Sequence, residues 1–319
     1  MARVLVTRHL PDGGLDPLYA RGHEVVVRDE DVPFGPAALA EAAGAADGIV
    51  CLLTDRIDDR VLSSGAAGRL RVVANVAVGY DNIDVVAAAR LGIAVCNTPG
   101  VLDETTADLA FLLILASARL ASTAERDLRA GAWPGWGITQ YLGEDVHGAV
   151  LGLVGYGRIG RAVARRAEGF GMDVLHHCRT DTGLPGYVGS LDELLARSDA
   201  VSLHVPLTES TRHLVGAREL AGMKRTAVLV NTARGPVVDE EALAAALESG
   251  ALFAAGLDVY EGEPAVSPRL LAAPRTVLLP HIGSATRVTR TRMATMACEA
   301  VCAVLAGETP PNLVAAPAP

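Results

Sequence analysis

Three glycines at a fixed spacing mark a phosphate-binding turn. They form the pattern GxGxxG from Gly155, between an apolar run of strand length at 149–154 and a helical stretch at 161–166. In this setting the first glycine permits the tight turn, the second lets the backbone approach a pyrophosphate, and the third lets helix and strand pack closely. N–H groups at the helix start would hold the phosphates. The predicted dinucleotide site comprises Gly155, Gly157, Arg158, Ile159 and Gly160.

The end of the next strand indicates which dinucleotide is bound. An acidic residue is expected there if the ribose 2′-hydroxyl is recognised, but this chain has Cys178, Arg179 and Thr180. Arg179 could pair with a 2′-phosphate, and Thr180 could donate a hydrogen bond to it. We therefore expect a preference for NADP(H). Asp181 is close enough to keep NAD(H) open, and Arg179 could instead be a solvated surface charge.

The elements of the first hundred residues alternate between strand and helix. Short apolar runs predict five strands, at Arg3–Thr7, Glu24–Val27, Gly48–Leu53, Arg71–Ala74 and Ala94–Cys96. Alanine-rich stretches of helical length such as Pro36–Ala46 lie between them. Continuous apolar strands are typical of parallel sheets covered on both faces, so this part predicts an α/β unit.

A turn cluster at 97–100 indicates a domain boundary and precedes a long helical pattern. We expect one helix over Asp103–Arg129, with Asp103 or Thr105 as its N-cap. The segment Gly131–Gly148 is irregular and contains Trp133 and Trp136. Core packing of these tryptophans and a role at an active site or subunit contact are equally open.

A second alternation begins at Ala149. Six strands are expected, at Ala149–Val154, Asp173–Cys178, Ala200–His204, Ala227–Asn231, Phe253–Asp258 and Thr276–Leu279. Six strands complete a doubly wound sheet. The helix predicted over Thr286–Ala306 has no strand after it, so we expect it to pack on the first α/β unit.

Composition excludes several classes of protein. The 319 residues exceed the usual size of one core, and a net charge of −9 argues against nucleic acid as a partner. The longest apolar run, Leu109–Ala118, is about half of a membrane span. Since Arg8 and His9 follow the first apolar run at once, we expect no signal peptide and a cytoplasmic location. Five cysteines without a CxxC pair predict reduced thiols, with neither disulfides nor a metal site.

Four further segments carry charged and polar residues at predicted strand ends and turns: VGYDNID at 78–84, NTARG at 231–235, DVYEGEP at 258–264 and PHIGSAT at 280–286. Together with the glycine pattern they resemble the D-isomer-specific 2-hydroxyacid dehydrogenases, most closely the glyoxylate and hydroxypyruvate reductase branch. The resemblance covers almost the whole chain. It implies that a nicotinamide cofactor reduces a small 2-keto acid to the D-2-hydroxy acid.

That reaction requires groups that hold a carboxylate, polarise a carbonyl and supply a proton. Arg234 offers a planar, permanently charged fork that can grip both the carboxylate and the carbonyl oxygen. His281 can act as the general acid, because imidazolium releases its proton near neutral pH. The resemblance makes Glu263 the partner of the far ring nitrogen, where it fixes the tautomer and favours the charged ring.

The resemblance also assigns groups around the reacting centre. The backbone amides of Val78 and Gly79 would bind the substrate carboxylate, together with Arg234 and His281, and Asn82 would steady their loop. His204, Val205 and Pro206 match a turn that lines the cofactor. The other residues assigned to the cofactor are Thr106, Thr211, Thr232, Ala233, Asp258 and Gly283, with Asp258 expected near the carboxamide.

The resemblance further implies the architecture. A Rossmann-type doubly wound domain, residues 100–284, would be inserted into a smaller flavodoxin-like α/β substrate domain, residues 1–99 and 285–319. The reaction would occur in a cleft between the domains that closes to exclude water. Relatives pair through the segment after Gly100, so we expect a homodimer in which Trp133 or Trp136 reaches the neighbouring subunit's site.

Other functions on the same fold remain as alternatives. Phosphite dehydrogenases carry lysine where this chain has Ala77, and formate dehydrogenases carry glutamine in place of Glu263. A 3-phosphoglycerate dehydrogenase would need more basic residues for its phosphate and often a regulatory domain. A dinucleotide-sensing, corepressor-like binding protein would need a partner-binding extension, for which the segment Val314–Pro319 is short.

Overall fold

Eleven parallel strands form two sheets in the computed structural model, which describes residues 1–314. The strands are β1 (Arg3–Val6), β2 (Glu24–Val27), β3 (Gly48–Cys51), β4 (Val72–Asn75), β5 (Ala94–Cys96), β6 (Val150–Val154), β7 (Asp173–His177), β8 (Ala200–Leu203), β9 (Val228–Asn231), β10 (Ala254–Leu257) and β11 (Thr276–Leu278). All eleven predicted strands are confirmed, with ends that differ by at most two residues.

Twelve α-helices lie between or after these strands in the described residues. They are α1 (Asp16–Ala20), α2 (Pro36–Gly44), α3 (Asp59–Ala67), α4 (Val85–Arg90), α5 (Asp103–Ala118), α6 (Ala121–Arg129), α7 (Arg158–Glu168), α8 (Leu191–Arg197), α9 (Ala217–Ala221), α10 (Glu240–Ser249), α11 (Pro268–Ala272) and α12 (Arg287–Leu305). Short 3-10 turns occur at Glu209–Thr211 and Gly235–Val237.

The chain divides into two units. One contains Met1–Leu102 with Ser284–Pro319, and the other contains Asp103–Gly283. These limits lie close to the predicted boundaries at 99/100 and 284/285, and the assignment of separate domains stays a prediction. Residues 315–319 of the predicted substrate domain, and with them all but the first residue of the segment Val314–Pro319, lie outside the described residues.

The first unit has a flavodoxin-like sheet of order β2-β1-β3-β4-β5. Helix α12 lies against this sheet, because a Cβ placed on Gly48 of β3 would lie 2.9 Å from Val301 Cγ1. The Cys302 thiol lies 3.5 Å from the Pro17 carbonyl oxygen in the first turn of α1. The last helix therefore completes the cover of the first sheet, as predicted from the lack of a strand after it.

The second unit has a doubly wound sheet of order β11-β10-β9-β8-β6-β7. An isolated parallel bridge from His176 to Tyr187 extends it beyond β7. The strand order reverses between β6 and β8, and in such sheets ligands bind at the carboxyl ends of the strands at this point. The predicted fold class, with a Rossmann-type unit inserted into a flavodoxin-like one, is confirmed.

Successive side chains in a strand point to opposite faces of the sheet, so alternate residues of the second sheet pack into two separate hydrophobic cores. In β9 the side chains of Val228 and Val230 pack with α5 and α7 residues, and Leu229 packs on the opposite face. In β6, Gly152 allows α8 to approach closely, since a Cβ there would lie 2.2 Å from Ser198 Oγ. Burial on both faces explains why these strands are continuous apolar runs.

The prediction of one helix over Asp103–Arg129 is wrong. The chain breaks between α5 and α6, which are bent by 68° relative to each other. Leu120 adopts a left-handed conformation with φ of 52°, and the Ala118 carbonyl accepts a hydrogen bond from the Glu144 amide at 2.9 Å. The N-cap assignment also fails, because Asp103 and Thr105 both lie inside α5. Thr286, by contrast, caps α12 by accepting from the Thr289 amide.

Residues 1–314 contain no single helix with the length and apolarity of a membrane span. The bent pair α5 and α6 passes that test only when its two helices are joined. All five cysteines are free thiols. Within the same residues, no group of three or more His, Cys, Asp or Glu side chains could hold a metal ion.

Candidate active site

A histidine and a glutamate form a hydrogen-bonded pair in the second unit. His281 Nδ1 lies 2.8 Å from Glu263 Oε2, and each side chain is 28% exposed. The other carboxylate oxygen, Oε1, accepts from the Tyr260 amide at 2.9 Å. This arrangement fixes the imidazole so that Nε2 is the ring nitrogen left to meet a ligand.

Opposing effects act on the Glu263 carboxyl. Burial raises its pKa, but the hydrogen bond and charge of His281, the Tyr260 amide and the Arg234 charge lower the pKa to a net value below the ordinary one. Glu263 is therefore ionised at neutral pH. Because the folded pKa is lowered, its stabilising contribution is present at neutral pH and is lost as the pH falls through that pKa.

The backbone at His281 is held in an unfavourable conformation. Its φ is 55°, in the left-handed region that residues other than glycine rarely adopt. Asp258, at the end of β10, accepts from the amides of Ile282 and Gly283, each at 2.7 Å. The Leu279 carbonyl accepts from both the His281 amide and the buried Tyr260 hydroxyl, at 3.1 and 2.9 Å. These contacts impose the strained turn that presents the imidazole.

Arg234 stands at the end of β9 in a turn shaped by the buried Asn231. The Asn231 side chain accepts from the Ala233 amide at 3.0 Å and donates to the Arg234 carbonyl at 2.9 Å. The Arg234 guanidinium donates to the Ala233 carbonyl at 2.7 Å. Its charge also acts on Glu263. Three predicted catalytic side chains therefore lie near one another at the carboxyl ends of β9, β10 and β11.

Gly235 allows the Arg234 turn to contact the loop that carries Glu263. A Cβ at Gly235 would lie 1.9 Å from the Tyr260 carbonyl carbon and 2.0 Å from its oxygen. We expect Gly235→Ala to lower the free energy of unfolding by about 3 kcal/mol, the upper range for overpacking. Gly169→Ala is the matched control, since its Cβ would meet the Arg166 oxygen at an ordinary 3.5 Å. Equal urea midpoints for the two variants would contradict this contact.

The glycine turn has the geometry that a dinucleotide requires. Gly155 has a φ of 94°, and a Cβ on Gly160 would lie 2.4 Å from the Gly155 oxygen, so the strand and α7 are in close contact. A Cβ on Gly157 would meet nothing within 4 Å, which leaves room for a phosphate beside the backbone. The first amides of α7, from Arg158 and Ile159 to Gly160, have no acceptor within the helix. These residues fit the pyrophosphate of a nicotinamide dinucleotide.

The predicted ribose site lies at the end of β7. Cys178 Sγ accepts from the Tyr156 amide at 3.2 Å, which ties this end to the glycine turn. Arg179 and Thr180 are exposed. The Asp181 carboxylate, the alternative ribose ligand, accepts from the Gly183 amide at 2.8 Å.

The turn after β8 is stabilised by its own side chains. Burial lowers the pKa of His204 to about 4, so its ring is neutral, and its carbonyl packs against Gly155. The Thr211 hydroxyl donates to the Pro206 carbonyl at 2.7 Å and accepts from the Thr208 amide at 2.8 Å. Thr211 therefore shapes the turn that contains Val205.

Several residues predicted at the nicotinamide end lie together in the second unit. A Cβ on Gly283 would lie 3.2 Å from Asp258 Oδ2 and 3.5 Å from Thr106 Cγ2. The Thr232 hydroxyl, beside Ala233, is buried and has no hydrogen-bond partner among the described residues. Buried hydroxyls are normally hydrogen-bonded, so the Thr232 hydroxyl is suited to form a hydrogen bond with a bound ligand.

In the first unit, Val78 and Gly79 lie beyond the end of β4. Asn82 donates to the carbonyls of Leu52 and Asp55 at 3.1 and 3.0 Å, which joins the loops after β3 and β4. This agrees with the steadying role expected of Asn82. The loop is half-buried at Val78 and Gly79.

Sequence reasoning missed the residues that support these groups. They are Asn75, Asn97, Asn231, Gly235 and Tyr260. Asn231 and Gly235 stand in the same NTARG motif as Arg234, and Asn97 begins the turn cluster at 97–100. The only sequence signals for their supporting roles were the polar amide of the two asparagines and the missing side chain of the glycine.

Comparison with known proteins identifies the family. The family model described as D-isomer specific 2-hydroxyacid dehydrogenase, NAD binding domain, matches residues 111–283. A glyoxylate reductase of Korarchaeum cryptofilum is 49% identical, covering 98% of this chain and 95% of the relative. One from Aeropyrum pernix is 47% identical over the same shares.

Solved structures give the same result. A Thermus thermophilus protein superposes with a TM-score of 0.92 at 49% identity, covering 98% of this chain and all of that one. The NADPH-dependent glyoxylate/hydroxypyruvate reductase of Sinorhizobium meliloti, in complex with NADP and malonate, has a TM-score of 0.87 at 35% identity, covering 98% and 97%. The chain belongs to the D-isomer specific 2-hydroxyacid dehydrogenase family and is an NAD(P)-dependent oxidoreductase.

Proposed function

We propose that this protein reduces glyoxylate and hydroxypyruvate to their D-2-hydroxy acids, with NADPH as the preferred cofactor. The observation that carries the proposal is the pair formed by His281 Nδ1 and Glu263 Oε2 at 2.8 Å, beside Arg234. Relatives that share 49% and 47% of its residues are glyoxylate reductases, which supports the choice of substrate.

The roles of the residues follow from the arrangement at the strand ends. When bound, the reduced nicotinamide supplies a hydride to the carbonyl carbon of the substrate. Arg234 grips the substrate carboxylate and carbonyl oxygen and stabilises the charge that develops on that oxygen. His281 donates its Nε2 proton to the same oxygen, which completes the alcohol. Glu263 stays ionised and balances the imidazolium before the transfer.

The test is oxidation of NADPH and NADH in the presence of glyoxylate, hydroxypyruvate, pyruvate or 2-ketogluconate, followed at 340 nm. We expect the highest kcat/KM with glyoxylate or hydroxypyruvate. Absence of turnover on every 2-keto acid would overturn the proposal.

The preference for NADPH is proposed from Arg179. Its exposed guanidinium is placed to pair with a 2′-phosphate, while Asp181 is engaged with the Gly183 amide. We expect Arg179→Asp to raise the ratio of kcat/KM for NADH to kcat/KM for NADPH by about 100-fold. The variant loses a charge-assisted hydrogen bond to the 2′-phosphate of NADPH, and the new carboxylate repels that phosphate. Arg60→Asp, an equal charge change at an exposed position of α3 in the other unit, should leave the ratio unchanged. A wild-type preference for NADH would contradict the assignment.

We also propose a homodimer that covers the apolar face of the segment after Gly100. Large apolar side chains of α5, α6 and the following loop are exposed: Leu112, Leu128, Trp133, Trp136, Ile138 and Leu142. Core packing of the two tryptophans within this chain is thus wrong, since they are 48% and 80% exposed. Apolar surfaces of this kind mark protein interfaces. Light scattering that gives a monomer at micromolar concentration would count against the dimer.

A further inference from the structure

Three consecutive carbonyl groups after β4 are each held by a hydrogen bond. The Ala77 carbonyl accepts from the Thr98 amide at 2.9 Å. The Val78 carbonyl accepts from Asn97 Nδ2 at 2.7 Å, and the Gly79 carbonyl accepts from Asn75 Nδ2 at 2.8 Å. The carbonyl direction of every peptide group from Ala77 to Tyr80 is therefore fixed.

Fixing these carbonyls also fixes the amides. In a trans peptide the N–H points opposite to the C=O of the same group. Since Asn97 and Thr98 are neighbours after β5, the carbonyls of Ala77 and Val78 point toward one element. The N–H groups of Val78 and Gly79 must then point together away from it. Two successive amides on the same side form a concave site for an anion.

The two asparagines are themselves held in place. Asn312 donates from Nδ2 to the Asn97 carbonyl at 2.6 Å and accepts at its own carbonyl from the Asn97 amide at 3.3 Å. Asn75 is fully buried, and its Nδ2 also donates to Asn82 Oδ1 at 2.9 Å. Asn312 therefore holds the backbone of Asn97, and the Asn75 side-chain amide cannot rotate without breaking several hydrogen bonds at once.

We propose that Asn97 and Asn75 are positioning residues for substrate recognition. Asn97 holds the Val78 carbonyl, so that the opposite N–H group, which belongs to Gly79, faces the carboxylate of the 2-keto acid beside the N–H of Val78. Asn75 holds the Gly79 carbonyl and so fixes the next peptide group, which keeps Gly79 itself from turning. The inference rests on the proposed function, which supplies that carboxylate. Asn82 has a different task, because it joins the loops after β3 and β4 instead of orienting these peptides.

The test uses Asn97→Leu, which keeps the approximate volume but removes the donor, and Asn97→Ala in case the leucine variant does not fold. Ser64→Ala is the matched control, since Ser64 Oγ donates to the Ala40 carbonyl at 2.6 Å in the same unit, between α3 and α2. It removes the same kind of side-chain-to-carbonyl bond from another part of the unit. The measurements are glyoxylate kinetics with NADPH, the affinity of the cofactor-loaded protein for oxamate, and Tm.

We expect Asn97→Leu to raise KM for glyoxylate by about 10- to 100-fold, because a small misplacement of binding groups has effects of this size. The kcat should change by less than about threefold, since the lost binding is shared by ground and transition states. The Kd for oxamate should rise by the same factor as KM, and KM for NADPH should not change. Ser64→Ala should lower Tm without altering any of these constants.

Unchanged KM and oxamate affinity in both Asn97 variants would overturn the inference, even with a lowered Tm, and would leave the proposed function intact. If wild-type protein turns over no 2-keto acid, the proposed function fails and oxamate binding decides the inference separately. Loss of oxamate affinity in the Asn97 variants would then support amide positioning. Absence of oxamate binding by wild-type protein would overturn it.

Discussion

Replacing His281 with alanine should lower kcat for glyoxylate reduction by about 100- to 10,000-fold, the range that a positioned general acid supplies. The ring is fixed by Glu263 at Nδ1 and by a strained backbone that Asp258 and Tyr260 impose. A water molecule in place of the ring would lack this fixed position. KM for NADPH should stay within about threefold, because the glycine turn proposed to hold the cofactor phosphates is unaltered.

His147→Ala is the control, because that side chain is 78% exposed and lies outside the strand-end cluster. Glu263→Gln should lower kcat less than the loss of the imidazole does. The physical reason is that the imidazolium loses its ionised partner. A His281→Ala enzyme with kcat within tenfold of wild type would refute the role of general acid.

Replacing Arg234 with glutamine should lower kcat/KM for glyoxylate by about 1,000-fold, since two hydrogen bonds to a charged group are lost together. Arg234→Lys retains the charge but not the planar fork, so we expect it to recover only part of this loss. Arg225→Gln provides the control, because that exposed arginine is in the same unit and donates to the Gly250 carbonyl.

The two substitutions at Arg234 separate charge from shape. Equal kcat/KM for the lysine and glutamine variants would show that the fork is decisive, whereas full activity of the lysine variant would contradict bidentate recognition. Urea unfolding of both variants should match wild type, because Asn231 shapes the turn through backbone groups that remain.

The central strands could be predicted from the sequence because they are buried on both faces and are therefore continuous apolar runs. Leu229 and its neighbours Val228 and Val230 face opposite cores, so no polar residue interrupts them. The break before α6 could not be predicted, since Leu120 is an ordinary helix former. Its left-handed conformation depends on the Ala118 carbonyl bonding to Glu144, a contact that local sequence does not encode.

The same distinction holds for the candidate site. Arg234, Glu263 and His281 were expected because their residue types match the chemistry and stand in recognisable motifs. The support of His281 by Asp258 depends on two strand ends meeting in the fold. Asp258 was expected near the carboxamide, and its carboxylate holds backbone amides. Hydrogen bonds between distant segments such as these cannot be read from spacing along the chain.

The pairing of Asn312 with Asn97 has a consequence for synthesis of the protein. The second unit, Asp103–Gly283, is one continuous stretch that can fold as it leaves the ribosome. The first unit must wait for α12 to cover β3 and for Asn312 to fix Asn97. A nascent chain released before residue 312 would carry a finished nucleotide-binding fold but would lack the contact that fixes Asn97. We therefore expect premature termination to leave a protein that retains cofactor affinity but lacks turnover.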